Sequence, residues 1–189
     1  AEGALLEFML RRFELARERV QHPFSLRIDD GPADPRGGGP SCSVVEILVD
    51  DRPFLIDSIQ SFLVSQDTHI QALLHPILTV RRDAQGGLLA VADTAQGEGV
   101  HEAHICLMVD PVPPRLRQAL LEELRAVLFD VIRCVDDYPA LKANLERIKQ
   151  EARGAKGGRA VSRLLHWFQA GSFLFMGYLP FVAGAGSNG

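Results

Sequence analysis

The sequence predicts an α+β fold, an antiparallel-rich sheet with helices packed on one face. Two observations lead there. Several short segments alternate apolar and polar residues with the period of a half-buried strand, as in Phe24, Leu26 and Ile28 against Ser25, Arg27 and Asp29. Between and after them run stretches whose apolar residues recur at helical spacing, in the order strand, strand, helix, strand, strand, strand, helix. At 189 residues with 47% hydrophobic and 23% charged content, the chain is long enough to bury one full core plus flanking pieces.

Residues 3–20 place Leu6, Met9, Leu10, Phe13 and Val20 among Arg and Glu, which predicts an amphipathic N-terminal helix over the segment 1–21. His22 and Pro23 break it, the strand 24–29 follows, and Gly31 to Pro40 has the glycine content of a surface loop. Ser43 to Val49, rich in β-branched residues, predicts a strand that stops at Asp50, Asp51, Arg52 and Pro53. Asp51 stands where it would cap a helix carrying Leu55, Ile59, Phe62 and Leu63 on one face, with Pro53 suited to its first turn.

Ile70, Ala72, Leu74, Leu78 and Val80 share one face of an extended segment, and the turn residues 82–87 lead into Leu88 to Ala92, which predicts a hairpin. A strand over 102–109 ends at Pro111, Pro113 and Pro114. Helices are expected from Arg115 to Cys134 and from Tyr138 to Glu151, separated by Asp136 and Asp137, the latter pair read as caps like Asp50 and Asp51. The domain therefore spans 22–152. Residues 153–189 read as a linker (RGAKGG), a short helix (VSRLLHWFQ) and an apolar run (SFLFMGYLPFV) opening a unit left unfinished. With no initiator Met and a Gly-rich end, the chain is expected to be a piece of a longer protein.

The strand and helix order is that of a split βαβ, ferredoxin-like sheet. Its uncovered face would show Leu48, Leu73, Ile77 and Met108 among Gln71, His75 and Arg81. Such an apolar-leaning face predicts partners, namely other domains or subunits, and a homo-oligomer.

A net charge of −4 supplies no basic stripe, so nucleic acid is not an expected partner. No window approaches the ~18 uninterrupted apolar residues of a membrane span. Cys42, Cys106 and Cys134 are odd in number and far apart, which excludes a disulfide framework and points to the cytoplasm.

His101 and His104 lie on opposite faces of one strand, whereas His69 and His75 share a face; no metal site is expected. Ser43, Ser58, Ser61 and Ser65 lack a nucleophile-elbow context, so no catalytic residue is nominated. Gly184 to Gly189 formally matches G-x-G-x-x-G, but the helix that would meet a pyrophosphate does not follow, and no cofactor is expected. The remaining candidate is the strand-to-helix junction. Asp50, Asp51, Arg52, Pro53, Phe54 and Asp57, with His69 and His75 as hydrogen-bonding neighbours, would receive a small carboxylate such as an amino-acid effector at the positive helix end.

At this junction the sequence resembles an ACT domain, a ferredoxin-like regulatory module whose first βα turn commonly reads Asp-Arg-Pro-Gly-Leu-Leu; here it is Asp51-Arg52-Pro53-Phe54-Leu55-Ile56. The wider text, VEILVDDRPFLIDSIQSFL (45–63), HIQALLHPILTVRRDAQGGL (69–88), EAHICLMVD (102–110) and HWFQAGSFLFMGY (166–178), resembles the N-terminal region of the large NAD-specific glutamate dehydrogenases. The resemblance implies a non-catalytic module of an enzyme that oxidatively deaminates glutamate, with NAD bound in a distant catalytic domain. Two departures stand out. Phe54 occupies the place of the glycine that lets a ligand approach the backbone. The ACT strand after the second helix is missing, and residues 24–29 are expected to take its place in the sheet.

Overall fold

The most strongly β-branched segment of the sequence becomes the interior of a sheet in a computed structural model of the chain, which describes residues 14–19, 23–32, 40–92, 99–154, 157–172 and 177. Its strands are β1 (Phe24–Asp30), β2 (Ser43–Asp50), β3 (Ile70–Leu74), β4 (Ile77–Arg82), β5 (Leu88–Ala92) and β6 (Val100–Val109). Its helices are α1 (Leu55–Ser65), α2 (Pro114–Arg153) and α3 (Gly158–Trp167), the last running into a π-helical segment, Phe168–Ser172. The chain divides into two compact units, Ala1–Val131 and Ile132–Gly189, so α2 contributes to the first through Val131 and to the second beyond it.

In the first unit the sheet order is β1-β2-β6-β4-β5, with β3 also beside β6 and every pairing antiparallel. β1 pairs with β2 from Phe24 opposite Val49 to Asp30 opposite Ser43. Residues 24–29 thus occupy the edge beside β2, the place expected of them. Register assigns the faces. Phe24 and Leu26, Val45, Ile47 and Val49, and Ala103, Ile105, Leu107 and Val109 line one side and are all buried. Phe129 of α2 meets Phe24 ring edge to face at 5.1 Å, which places α2 on that side, where it buries Leu124 and Leu128. Helix α1 buries Leu55, Ile59 and Leu63, a stripe at helical spacing. The opposite side carries Val44, Glu46, Leu48 and Asp50 beside Met108, Cys106, His104 and Glu102.

Several expectations change. The extended segment 70–80 is two strands, because Pro76 lacks an amide to continue the ladder; β3 lies along residues 106–109 of β6 and β4 along 100–103. A register shift between Ile70 and Ala72 reverses the alternation, leaving Leu73 half-buried and Leu74 exposed. The open-face prediction fails at Leu48, which is fully buried, and at Ile77, whose pairing with Ala103 puts it on the helix side.

The two helices expected over 115–151 are one 40-residue helix with Pro139 inside it. Asp136 and Asp137 are therefore interior helix residues and cap nothing. Asp51 does not cap α1 either, since Phe54 holds the N-cap position without a side-chain hydrogen bond. Of the N-terminal helix, residues 14–17 are helical; Glu18 instead bridges to Gly87, and residues 1–13 lie outside the described residues. No described helix is long and apolar enough to cross a membrane.

In the second unit α2 buries Leu141, Leu145 and Lys149 at four-residue spacing, and Lys149 Nζ donates to Gln169 Oε1 at 2.7 Å and Glu146 Oε1 at 2.9 Å. The helix expected at 161–169 starts earlier, at Gly158. Most of the apolar run 172–182 and the whole glycine motif 184–189 lie outside the described residues.

Candidate functional site

The junction between β2 and α1 is shaped by its last strand residue and by its turn. Asp51 N still donates to His101 O at 2.8 Å, so the sheet ladder extends one residue past β2. The backbone then turns at Phe54, which adopts φ 69 and leaves its side chain 48% exposed. Positive φ is costly for a residue with a Cβ and free for glycine. Asp51, Pro53 and Asp57 are exposed, Asp57 in the first turn of α1.

Asp50 is drawn into a charge cluster on the side of the sheet opposite α2. Its carboxylate accepts from Arg19 Nη1, and Arg52 Nη1 lies 3.5 Å from Oδ2 and 3.4 Å from the Asp50 carbonyl. Directly opposite Asp50 in register is Glu102, 1% exposed. Arg82 donates to it twice at 2.7 Å, Nε to Oε1 and Nη2 to Oε2, and Arg19 Nη1 adds a bond to Oε1 at 3.1 Å. His104 Nε2 stands 3.7 Å from Oε2. Burial raises the carboxyl's pKa, but Arg82, His104 and Arg19 outweigh it and hold Glu102 at about 2.

The same arginines tie down the segment before β1. Arg82 Nη2 donates to Ala16 O at 2.9 Å and Arg19 Nη2 to Pro23 O. Arg19 N donates to Gly86 O at 3.1 Å. Gly86 has φ +89, and a Cβ there would meet Arg19 O at 2.5 Å, so glycine lets the two backbones touch. Chemically the cluster is an ion-paired clamp that pins residues 16–19 to the sheet.

The structure brings 50–57 together and leaves His69 apart. His69 precedes Ile70, which pairs with Val109, while Asp50 pairs with Glu102. The end of β6 beside His69 is eight residues from Glu102, about 26 Å at the usual strand rise. His69 is exposed, with Nδ1 3.8 Å from Asp110 Oδ1. His75 is half-buried at the break between β3 and β4, beside Pro76, whose carbonyl accepts from His104 N at 2.9 Å; the bulge and the break undo the face it was expected to share with His69. His101 and His104 do lie on opposite faces, His101 Nδ1 3.1 Å from Thr79 Oγ1. Among the described residues no three His, Cys, Asp or Glu gather as a metal set, and the cysteines are present as thiols.

Sequence reasoning passed over Arg19, Arg82 and Glu102. The available signal was a Glu at the head of a strand with Arg in the preceding hairpin, meaningful only once the register of β4 against β6 is known. The β2–α1 turn does not fit a dinucleotide pyrophosphate: it offers two acids and a bulky Phe54 where the phosphates need bare backbone.

A family model described as "Glutamate dehydrogenase, ACT1 domain" matches residues 2–128. The chain is 33% identical over 172 residues, 82% of its length and 10% of the relative's, to an NAD-specific glutamate dehydrogenase of Mycobacterium tuberculosis. It is 27% identical over 145 residues, 71% of its length and 9% of the relative's, to that of Halomonas elongata. The protein of the same name from Pseudomonas aeruginosa is 26% identical over 196 residues, 96% of this chain and 11% of the relative. The chain thus spans about a tenth of the length of the curated relatives it matches.

Proposed function

This chain belongs to the glutamate dehydrogenase ACT1 domain family, and on that premise we propose that it is a non-catalytic regulatory and assembly module. The longer enzyme would deaminate L-glutamate oxidatively to 2-oxoglutarate with NAD, in the cytoplasm, with the cofactor held by a catalytic domain elsewhere in the protein. The module's partners would be other domains and subunits of that enzyme.

The observation that supports assembly is the sheet edge at β5. Its sequence, LLAVA, carries no charge, and Leu89 and Val91 are 64% and 54% exposed. Val91 and Val100 both pair with Val80 in register, so three valines form one row across the sheet beside that edge. Sheet edges left to solvent are normally protected by charges, prolines or bulges; β5 has a bulge at Leu89, and its regular, uncharged stretch Ala90–Ala92 is the part that suits strand addition by a partner. Sedimentation velocity from micromolar to sub-millimolar concentration tests this. Wild-type chain is expected to associate and Leu89→Lys/Val91→Lys to stay monomeric with unchanged melting temperature; a wild-type monomer throughout would overturn the reading.

A second reading, an amino-acid receptor at Asp50, Asp51, Arg52, Pro53, Phe54 and Asp57 with His75 in the neighbourhood and His69 farther along the sheet, is favoured by the start of α1. With no side-chain cap there, amides of the first turn are open to a carboxylate. A ligand at a hundred times its dissociation constant adds ~2.7 kcal/mol. Thermal unfolding with millimolar amino acids would therefore show a selective rise, abolished by Asp51→Ala, if this reading holds.

A further inference from the structure

We propose that the second unit carries a binding site for a small phosphate-bearing anion, in the cavity between the last turn of α2 and the first two turns of α3. The cavity is about 580 Å³ and is lined by Arg153, Arg159, Ser162 and Arg163. It is an open cleft, with Arg153, Arg159 and Arg163 exposed and Ser162 half-buried, and its volume falls in the range of small-ligand sites.

Two glycines build it. Gly157 takes φ +82, and a Cβ on Gly158 would fall 1.5 Å from Ala152 O, so only glycine lets α3 begin hard against the end of α2. This contact is what carries Arg153, in the final turn of α2, to the side chains of α3. On α3, Arg159, Ser162 and Arg163 are spaced i, i+3, i+4 and project from one face.

Charge bookkeeping leaves Arg159 and Arg163 uncompensated among the described residues, while Arg153 feels the charge of Glu146. Ile132–Gly189 holds eight Lys or Arg and four Asp or Glu, a net +4, whereas Ala1–Val131 holds twelve and twenty, a net −8. No Asp or Glu follows Glu151 in the sequence. The two nearest acids upstream are engaged, Glu146 with Lys149 at 2.9 Å and Glu151 with Arg147 at 2.7 Å. Among the described residues neither Arg159 nor Arg163 has an acidic partner within ion-pair distance. Like charges gathered in a concavity repel unless an anion joins them.

The donor set selects the ligand. Three guanidiniums present planar forks of N–H groups, and Ser162 adds a hydroxyl. This exceeds what the two oxygens of a carboxylate can accept. A phosphoryl group, with three strong acceptor oxygens and a charge of about −1.5 to −2, matches it. Inorganic pyrophosphate and the diphosphate of a nucleotide share that chemistry.

Isothermal titration of the 189-residue chain with inorganic pyrophosphate and, separately, with ADP tests the site. Saturable binding is expected, weakened roughly tenfold or more by Arg159→Gln/Arg163→Gln while the melting temperature and far-ultraviolet circular dichroism stay as in wild type. Tighter binding of ADP assigns the site to nucleotides, and equal binding assigns it to the phosphate groups alone. Should the double variant fail to fold, Arg163→Lys keeps the charge but loses the fork and is expected to weaken binding several-fold. Absence of saturable binding of both probes at millimolar concentration, or an affinity that these variants leave unchanged, overturns the proposal.

Discussion

Arg82 and Glu102 face each other through two parallel hydrogen bonds of 2.7 Å on adjacent strands, and the carboxylate they fix is 1% exposed. A charge so deeply placed is tolerable because its oxygens are satisfied and its countercharge is immediate. The pair also anchors the segment before β1, since the same guanidinium donates to Ala16 O.

Arg82→Ala removes the fork and strands the Glu102 carboxylate. The expected loss is about 3–5 kcal/mol, the usual result of unpairing a buried charge. Replacing both partners, Arg82→Leu with Glu102→Leu, is expected to cost less than Arg82→Ala alone. Urea denaturation at neutral pH reads both, and a single variant no worse than the double would show that the pair is not the anchor.

The depressed pKa of Glu102 makes stability depend on acid. The unfolded carboxyl titrates near 4.5 and the folded one at about 2. The stabilisation is therefore fully present above pH 4.5 and is lost as pH falls toward 2. The amount at stake is about 3 kcal/mol. Glu102→Gln should be less stable than wild type at neutral pH and show a flatter stability profile across that acidic window; an identical slope in both proteins would refute the assignment.

Phe54 sits at φ 69, where a side chain costs roughly 1–2 kcal/mol and glycine nothing. Half of its ring is already in water, so little packing is lost on removal. Phe54→Gly is expected to stabilise the chain by up to about 1 kcal/mol, and the β-branched Phe54→Val to destabilise it by a similar amount. Melting temperatures decide, and the opposite order would mean that the ring's contacts outweigh the backbone strain.

Where the pattern was local, the sequence was readable. β1, β2 and β6 alternate or run apolar because their inner faces are buried, and each was expected within two residues of its observed bounds. Asp136 and Asp137, read as caps between two helices, concealed the continuity of α2. Pro139 follows them inside the helix, where an exposed ring with one missing amide interrupts only one turn of backbone bonding. The bulge after Ile70 was equally silent, since one extra residue changes which side chains face inward without changing composition.

The candidate site divides the same way. Asp50 to Asp57 could be named together from the sequence because they are contiguous. His69 was grouped with them on the assumption of one straight strand, and the sheet places it at the far end of β6.

By itself the sequence determined most of the elements and the antiparallel-rich α+β class, because hydrophobic period and turn residues act over a few neighbours. Only the tertiary structure decided that Arg19, Asp50, Arg82 and Glu102 meet, although 83 residues separate Arg19 from Glu102. Ion partners are chosen by strand order and register, which depend on how distant segments bury their faces together, and no local pattern of charge records that outcome.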